Sequence, residues 1–181
     1  MNNTKQITVF LGVLLVALAV SARLFPHPAN FAPLGAIALF SGLYLPKKYA
    51  FFVPFAGLLL SDLMIGLYHP AMMAAVYGSF ALMVYLGIIG SRNKNLSTTA
   101  AAVLVGSIAF FLITNAAVWA FGTMYPYTVQ GLMQSYYMAL PFFRNSLLGD
   151  IFYTTVLVGS AEAILRHGSA KLLVKSRQTS H

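Results

Sequence analysis

The three acidic residues of this 181-residue chain all lie inside or at the edge of long apolar segments. They are Asp62, Asp150 and Glu162, and the connections between the apolar segments contain no Asp or Glu. An ionised carboxylate is costly to remove from water, so water-soluble proteins show the opposite pattern. A carboxylate at membrane depth indicates a functional site. Asp62 is therefore the first candidate for a ligand-binding residue, and Asp150 is the second.

Further polar residues lie toward the same ends of the apolar segments as these two aspartates. This set could fix the polar end of a small solute: Arg23, His27, Asn30, His69, Asn115, Trp119, Arg144 and Asn145. An alternative is that the charged residues of the set neutralise one another as structural ion pairs. Polar groups are sparse and costly in membrane bundles, which favours a pocket for the cluster as a whole. Glu162 lies apart from it, with Arg166 one helical turn later in a favourable order for an ion pair.

The two histidines of this set raise a second possibility, a divalent metal. Imidazole suits ions such as nickel and cobalt, and both His27 and His69 fall in connections. They are not a close pair, however, and the chain has no cysteine. We therefore expect ordinary loop histidines and no metal site.

The connection before the last apolar segment is rich in aromatic residues. They could stack on a planar ligand or form an interfacial belt, and the sequence favours neither. The residues concerned are Trp119, Tyr125, Tyr127, Tyr136, Tyr137, Phe142 and Phe143. Within this stretch, Val129–Leu140 could form a short helix at the membrane interface.

The elements that must position these residues are membrane spans. The chain is 59% hydrophobic and 8% charged, with a mean hydropathy of +0.79, whereas soluble domains carry roughly 25% charged residues. Six apolar runs predict an all-α membrane protein, a six-helix transmembrane bundle in one domain over residues 1–166, with a basic cytoplasmic tail over 167–181. The runs cover about 7–24, 31–45, 49–67, 71–90, 98–121 and 145–165, and the second is short, since about 20 residues cross a bilayer core.

The distribution of Lys and Arg predicts the orientation. With the N-terminus and C-terminus both cytoplasmic, all of the 11 basic residues except Arg23 and Arg144 fall on the cytoplasmic side. This follows the positive-inside pattern of multi-pass proteins in the cell membrane. A net charge of +8 spread over such loops argues against nucleic-acid binding. The small residues Val20–Ala22 resemble a signal-peptide cleavage site, but cleavage would leave an odd number of spans.

Small residues recur four positions apart along the spans, for example Ala17/Ser21, Ala38/Gly42 and Gly57/Ser61. Such surfaces let helices approach closely, and we expect most of them to serve packing within the bundle. Catalytic and cofactor signatures are not found: the sequence contains no P-loop, no G-x-S-x-G and no H-E-x-x-H. We therefore predict that the chain is not an enzyme and holds no cofactor.

Two stretches of the sequence resemble a known family of membrane proteins. PLGAIALFSGLYLPKKYAFFVPFAGLLLSDLMIG and ALPFFRNSLLGDIFYTTVL resemble the substrate-binding (S) components of energy-coupling factor (ECF) transporters. More closely, RLFPHPANFAP…ALFSG…SD resembles small uncharacterised membrane proteins grouped with those components. The resemblance implies a six-helix bundle that captures a small vitamin-like solute at the outer side. A transmembrane coupling subunit and a pair of ATPases would then supply the energy.

Two other functions stay open. The chain could be a membrane scaffold or assembly protein with no small ligand, whose basic tail holds anionic lipid or a cytoplasmic partner. It could also be a proton-coupled small transporter that uses Asp62 or Asp150, although no internal repeat supports this. In the transport interpretation, both aspartates contact the solute together with Asn115, Arg144 and Asn145, and Trp119 and the tyrosines cover it.

Overall fold

The structure is a computed structural model that describes residues 3–26 and 28–178. Every regular element in this part of the chain is helical. Six α-helices follow one another: α1 Asn3–Leu24, α2 Leu34–Tyr44, α3 Lys47–Ile65, α4 Pro70–Gly90, α5 Leu96–Phe121 and α6 Val129–Gln178. A 3₁₀ turn, Ser91–Asn93, lies between α4 and α5.

The helix boundaries follow local sequence signals. His69 caps α4, with Pro70 at the first position, where a missing N–H costs nothing. Asn95 caps α5, because its side-chain oxygen accepts a hydrogen bond from the Thr98 backbone N–H at 2.8 Å. The end of α3 lies at Gly66, whose φ of 122° belongs to the left-handed region that favours glycine.

Five of the helices are long and apolar enough to cross a membrane. The exception is α2, where the sequence predicted a span over residues 31–45. Pro33 precedes this helix and Pro46 precedes α3, so only 11 residues are helical. Such a helix is ~16 Å long, which is about half the ~30 Å core of a bilayer. Six helices are therefore confirmed for the described residues, and five of them have the length of a span.

The last helix differs from the sequence prediction in its extent. A short interfacial helix over Val129–Leu140 and a separate span from Asn145 were expected, but α6 runs without interruption from Val129 to Gln178 through Pro141. Membrane helices tolerate proline where neighbouring groups satisfy the freed carbonyl. The helix also continues into the segment that was predicted to be a tail, residues 167–181.

The core of the bundle surrounds α2. Every residue from Leu34 to Leu43 is buried, and the helix packs against α3, α4, α5 and α6. Small residues make this possible: a Cβ on Gly42 would lie 2.9 Å from the Gly87 Cα of α4, so the two backbones touch. Likewise a Cβ on Gly57 would lie 2.7 Å from the Ala19 Cβ, which joins α3 to α1. The predicted role of small residues in packing within the bundle is confirmed at these positions.

Candidate functional site

The site is built where α2 begins. The described residues of the connection between α1 and α2, 25–26 and 28–33, form no helix. Phe31 in this segment contacts α6, with ring centroids 6.0 Å from Phe152 and 5.6 Å from Tyr153. Pro33 is fully buried. In several transporter folds, irregular backbone that lines a cavity beside a helix end forms part of a ligand site.

A cavity of about 100 Å³ lies beside this connection, at the predicted outer end of the bundle. It is bounded by Asn30 and Ala32 of the connection and by α2, α4, α5 and α6. Its lining consists of Asn30, Ala32, Leu34, Gly35, Phe80, Met83, Phe110, Ser146 and Asp150. Asp150 is the only acidic residue among them, and none is basic. The wall opposite the polar groups is aromatic, with the rings of Phe80 and Phe110 5.1 Å apart.

Asp150 is held in place by neighbours on two other helices. Its side chain is 7% exposed, and its Oδ2 accepts a hydrogen bond from the Ser107 hydroxyl of α5 at 2.7 Å. Its Oδ1 lies against Gly35 in the first turn of α2, a contact that any larger residue at position 35 would block. The first turn of a helix carries partial positive charge from unpaired N–H groups, which favours a carboxylate. Asp150 is therefore a positioned carboxylate beside an open cavity.

Asp62 belongs to a different cluster. Its Oδ1 forms an ion pair with Arg23 Nη1 at 2.6 Å, and its Oδ2 accepts a hydrogen bond from the Tyr77 hydroxyl at 2.9 Å. Arg23 also donates to Ser61 Oγ at 2.7 Å. Partial burial raises the pKa of Tyr68, in the connection after α3, and the nearby charge of Asp62 raises it further, whereas Arg23 lowers it. Asp62 is 1% exposed and does not line the cavity that holds Asp150.

Two of the other predicted residues act at the cavity or its border. Asn30 lines it and has a left-handed backbone, with φ at 62°, a conformation that asparagine adopts more readily than most residues. Asn145 does not line the cavity but precedes Ser146, which does, and its side-chain amide donates to the Ala29 carbonyl at 2.9 Å. This bond fastens the non-helical segment to α6.

The remaining predicted residues have local structural contacts. His69 Nδ1 accepts from the Ala71 N–H, and the ring stacks on Phe121 with centroids 5.9 Å apart. Asn115 donates to the Phe111 carbonyl of its own helix, and Trp119 Nε1 donates to the Pro126 carbonyl. Arg144 is exposed, and His27 lies outside the described residues.

Three of the predicted aromatic residues, Tyr127, Tyr136 and Phe143, contact α5. The Tyr136 hydroxyl donates to the Leu112 carbonyl, and Phe143 contacts Phe111 with ring centroids 4.8 Å apart. Trp119 contacts Tyr127 in the same way at 5.9 Å. None of the predicted aromatic residues lines the cavity, whose rings come instead from Phe80 and Phe110.

Three residues of these clusters were not singled out in the sequence. Ser107 and Tyr77 contact Asp150 and Asp62, and Gly35 leaves space for the Asp150 carboxylate. Ser107 and Tyr77 are polar residues inside apolar runs, which is a signal that the sequence does carry. Gly35 is indistinguishable by sequence from the glycines used for helix packing.

The described residues bring no group of three His, Cys, Asp or Glu side chains together in a way that would hold a metal ion. The Asp150 cavity offers one carboxylate with Asn30 and Ser146, a donor set that suits a small polar or cationic group. A metal bound by several protein carboxylates would need more.

Five span-length helices around a buried short helix define a helical multi-pass membrane protein. The chain belongs to DUF6580, a family of unknown function, whose family model matches residues 2–172. No curated protein and no solved structure matches it.

Proposed function

We propose that this protein is the solute-binding component of an uptake transporter, comparable to the S component of an ECF system. The observation that carries the proposal is the cavity at the start of α2, where a positioned, buried carboxylate meets open space. Binding sites in several transporter folds are likewise formed where irregular backbone and helix ends meet a cavity. In this proposal the protein captures a small solute from the outer side.

The lining favours a solute with a cationic end. Asp150 supplies negative charge, no basic residue lines the cavity, and Phe80 and Phe110 present aromatic faces that attract cations. A volume of about 100 Å³ is below the roughly 300–1,000 Å³ of sites that enclose a whole small molecule. An amine or the ammonium end of a larger solute fits this space, and a whole vitamin-sized molecule requires residues 28–33 to move.

Energy for uptake comes, in this proposal, from a transmembrane coupling subunit and a pair of ATPases. The chain has no P-loop of its own. Supporting this, α1 packs mainly on α3 and leaves much of its surface uncovered, with Ile7, Phe10 and Val13 each more than half exposed. Such a face is available to lipid or to a coupling subunit.

The direct test uses methylammonium as a probe of the Asp150 cavity. Purified protein is unfolded thermally in detergent with methylammonium chloride or with the same concentration of sodium chloride. A ligand that binds only the folded state raises the melting temperature by mass action. We expect methylammonium to raise the melting temperature of the wild type, and Asp150→Asn to abolish that increase.

Glu162→Gln is the matched control, because it removes the other carboxylate of α6, one that does not line this cavity. It should respond like the wild type. An equal increase in Asp150→Asn would refute cation binding at this carboxylate. Native mass spectrometry of protein purified from its own host then identifies any co-purifying solute, which should be lost in Asp150→Asn.

A proton-coupled transporter is the second candidate, and the same residue favours it. Asp150 is buried, and its hydrogen-bond donor among the described contacts is Ser107. In that case Asp150→Asn abolishes proton-linked uptake while solute binding persists. A scaffold without a ligand, the third candidate, predicts that Asp150→Asn changes stability alone.

A further inference from the structure

A second and larger cavity lies at the opposite end of the bundle. Its volume is about 520 Å³, and it opens between α5 and α6 beside the last turn of α2 and the connection before α5. It has no lining residue in common with the Asp150 cavity. Its size falls within the range of small-molecule sites in proteins, roughly 300–1,000 Å³.

The walls of this cavity are apolar and continue onto the lipid-facing surface. Val103 and Leu104 of α5 face Ile151 and Val158 of α6 across it. Leu104 and Ile151 are each nearly half exposed. In a membrane these side chains contact acyl chains, so the cavity is open to the bilayer from the side.

One end of the cavity carries charge. Lys94 and Arg166 both line it, and Lys94 Nζ lies 4.3 Å from the centre of the Tyr44 ring. The Tyr44 hydroxyl donates to Glu162 Oε1 at 2.6 Å, so the one carboxylate of this group already has a protein partner. Two cations against one hydrogen-bonded anion leave this end with a net positive charge.

A buried hydroxyl supplies an independent observation. Thr154 lies deeper along α6, is 4% exposed and lines the same cavity. Its Oγ1 has no hydrogen-bond partner among the described residues. Buried hydroxyls are nearly always paired, because an unpaired one loses its hydration without compensation.

From these observations we infer that the cavity binds an anionic phospholipid of the adjoining leaflet, the cytoplasmic one in the predicted orientation. The phosphate contacts Lys94 and Arg166, and an acyl chain lies between α5 and α6. Basic pockets between transmembrane helices on the cytoplasmic side bind anionic headgroups in this way. The lipid fills the gap between two helices that are in direct contact nearer the Asp150 cavity.

Gly159 allows a test that leaves the charges unchanged. It lines the cavity, and a Cβ built on it meets no atom within 4 Å. The Cβ of a leucine at this position therefore meets no obstacle, and its remaining atoms compete with a ligand for space beside the cavity wall. Gly78 of α4 is the matched control, because a Cβ there is equally unobstructed and the residue lines neither cavity.

The experiment is native mass spectrometry of the full chain released from nanodiscs of equal parts phosphatidylglycerol and phosphatidylcholine. We expect wild type and Gly78→Leu to retain one phosphatidylglycerol. In Gly159→Leu, the fraction of protein that carries this lipid should fall at least five-fold. The double variant Lys94→Gln/Arg166→Gln should lose the preference for phosphatidylglycerol over phosphatidylcholine. Equal retention in all four proteins would show a non-specific lipid coat and overturn the inference.

A second arm separates a membrane lipid from a soluble amphiphile. Decanoate has an anionic head and an apolar tail but no ester carbonyl. Decanoate added to lipid-depleted protein should bind more weakly than phosphatidylglycerol. Tighter binding of decanoate than of phosphatidylglycerol would overturn the assignment to a lipid.

Discussion

The Asp150 carboxylate of α6 lies against the backbone of Gly35 in the first turn of α2. A Cβ at position 35 would lie 2.8 Å from the Asp150 Cγ and 2.9 Å from the Met83 Sδ, closer than real Cβ contacts come. Asp150 is 7% exposed and cannot move aside into solvent. The glycine therefore sets the position of the carboxylate at the cavity.

Gly35→Ala should displace Asp150 and lower solute binding more than it lowers stability. The added methyl group forces either the carboxylate or α2 to shift, and overpacked cores typically lose ~1–3 kcal/mol. We expect the melting-temperature increase produced by methylammonium to fall in this variant. Gly159→Ala is the control, since its Cβ meets no neighbour; if both variants respond like the wild type, Gly35 does not position the carboxylate.

Ser107→Ala should destabilise the bundle through Asp150. The variant removes the hydroxyl that donates to Asp150 Oδ2, and a hydrogen bond to a charged group contributes about 2 kcal/mol. Ser79→Ala is the matched control, because Ser79 is equally buried but donates to the Ala75 carbonyl of its own helix. Unfolding in mixed micelles with increasing SDS measures the free energy of unfolding of both variants. An equal loss of stability in the two would show that the Ser107 hydroxyl has no special role at Asp150.

Arg23→Met should destabilise the protein more than Asp62→Asn does. The first change leaves the Asp62 carboxylate buried at 1% exposure with only Tyr77 as a donor among the described contacts. Removing one partner of a buried ion pair costs about 3 kcal/mol for this reason. Asp62→Asn instead leaves Arg23 without its carboxylate partner, but Arg23 is 21% exposed and still donates to Ser61. The same unfolding assay ranks the two, and the double variant should be more stable than Arg23→Met alone.

The predicted orientation can be read directly because the chain contains no cysteine. Thr123, in the connection after α5, and Asn93, before α5, are both exposed. Single cysteines at these positions are treated with a membrane-impermeant maleimide. Thr123→Cys should react in intact cells, and Asn93→Cys should react only after lysis; the reverse pattern would invert the assignment of the two cavities.

The sequence predicts the number of helices and most of their boundaries, because apolar length and capping residues are local properties. It also identifies Asp62 and Asp150, since carboxylates stand out in apolar runs. It does not show that Arg23 and Tyr77 engage Asp62 while Asp150 stays beside an open cavity. Those partners come from helices distant in the chain, and their contacts depend on three-dimensional packing.

The brevity of α2 has a consequence for how the protein is made. A helix of 11 residues is too short for the insertion machinery to release as a span, which takes about 20 residues. It is enclosed by α3, α4, α5 and α6, so its final position exists only after α6 has been synthesised. Leu39→Cys, at a position with 1% exposure in a cluster packed with Leu147 and Val158 of α6, should resist maleimide in the full chain and react when translation stops after Phe121. We therefore expect the core of this protein to be completed after insertion, when the span-length helices assemble around α2.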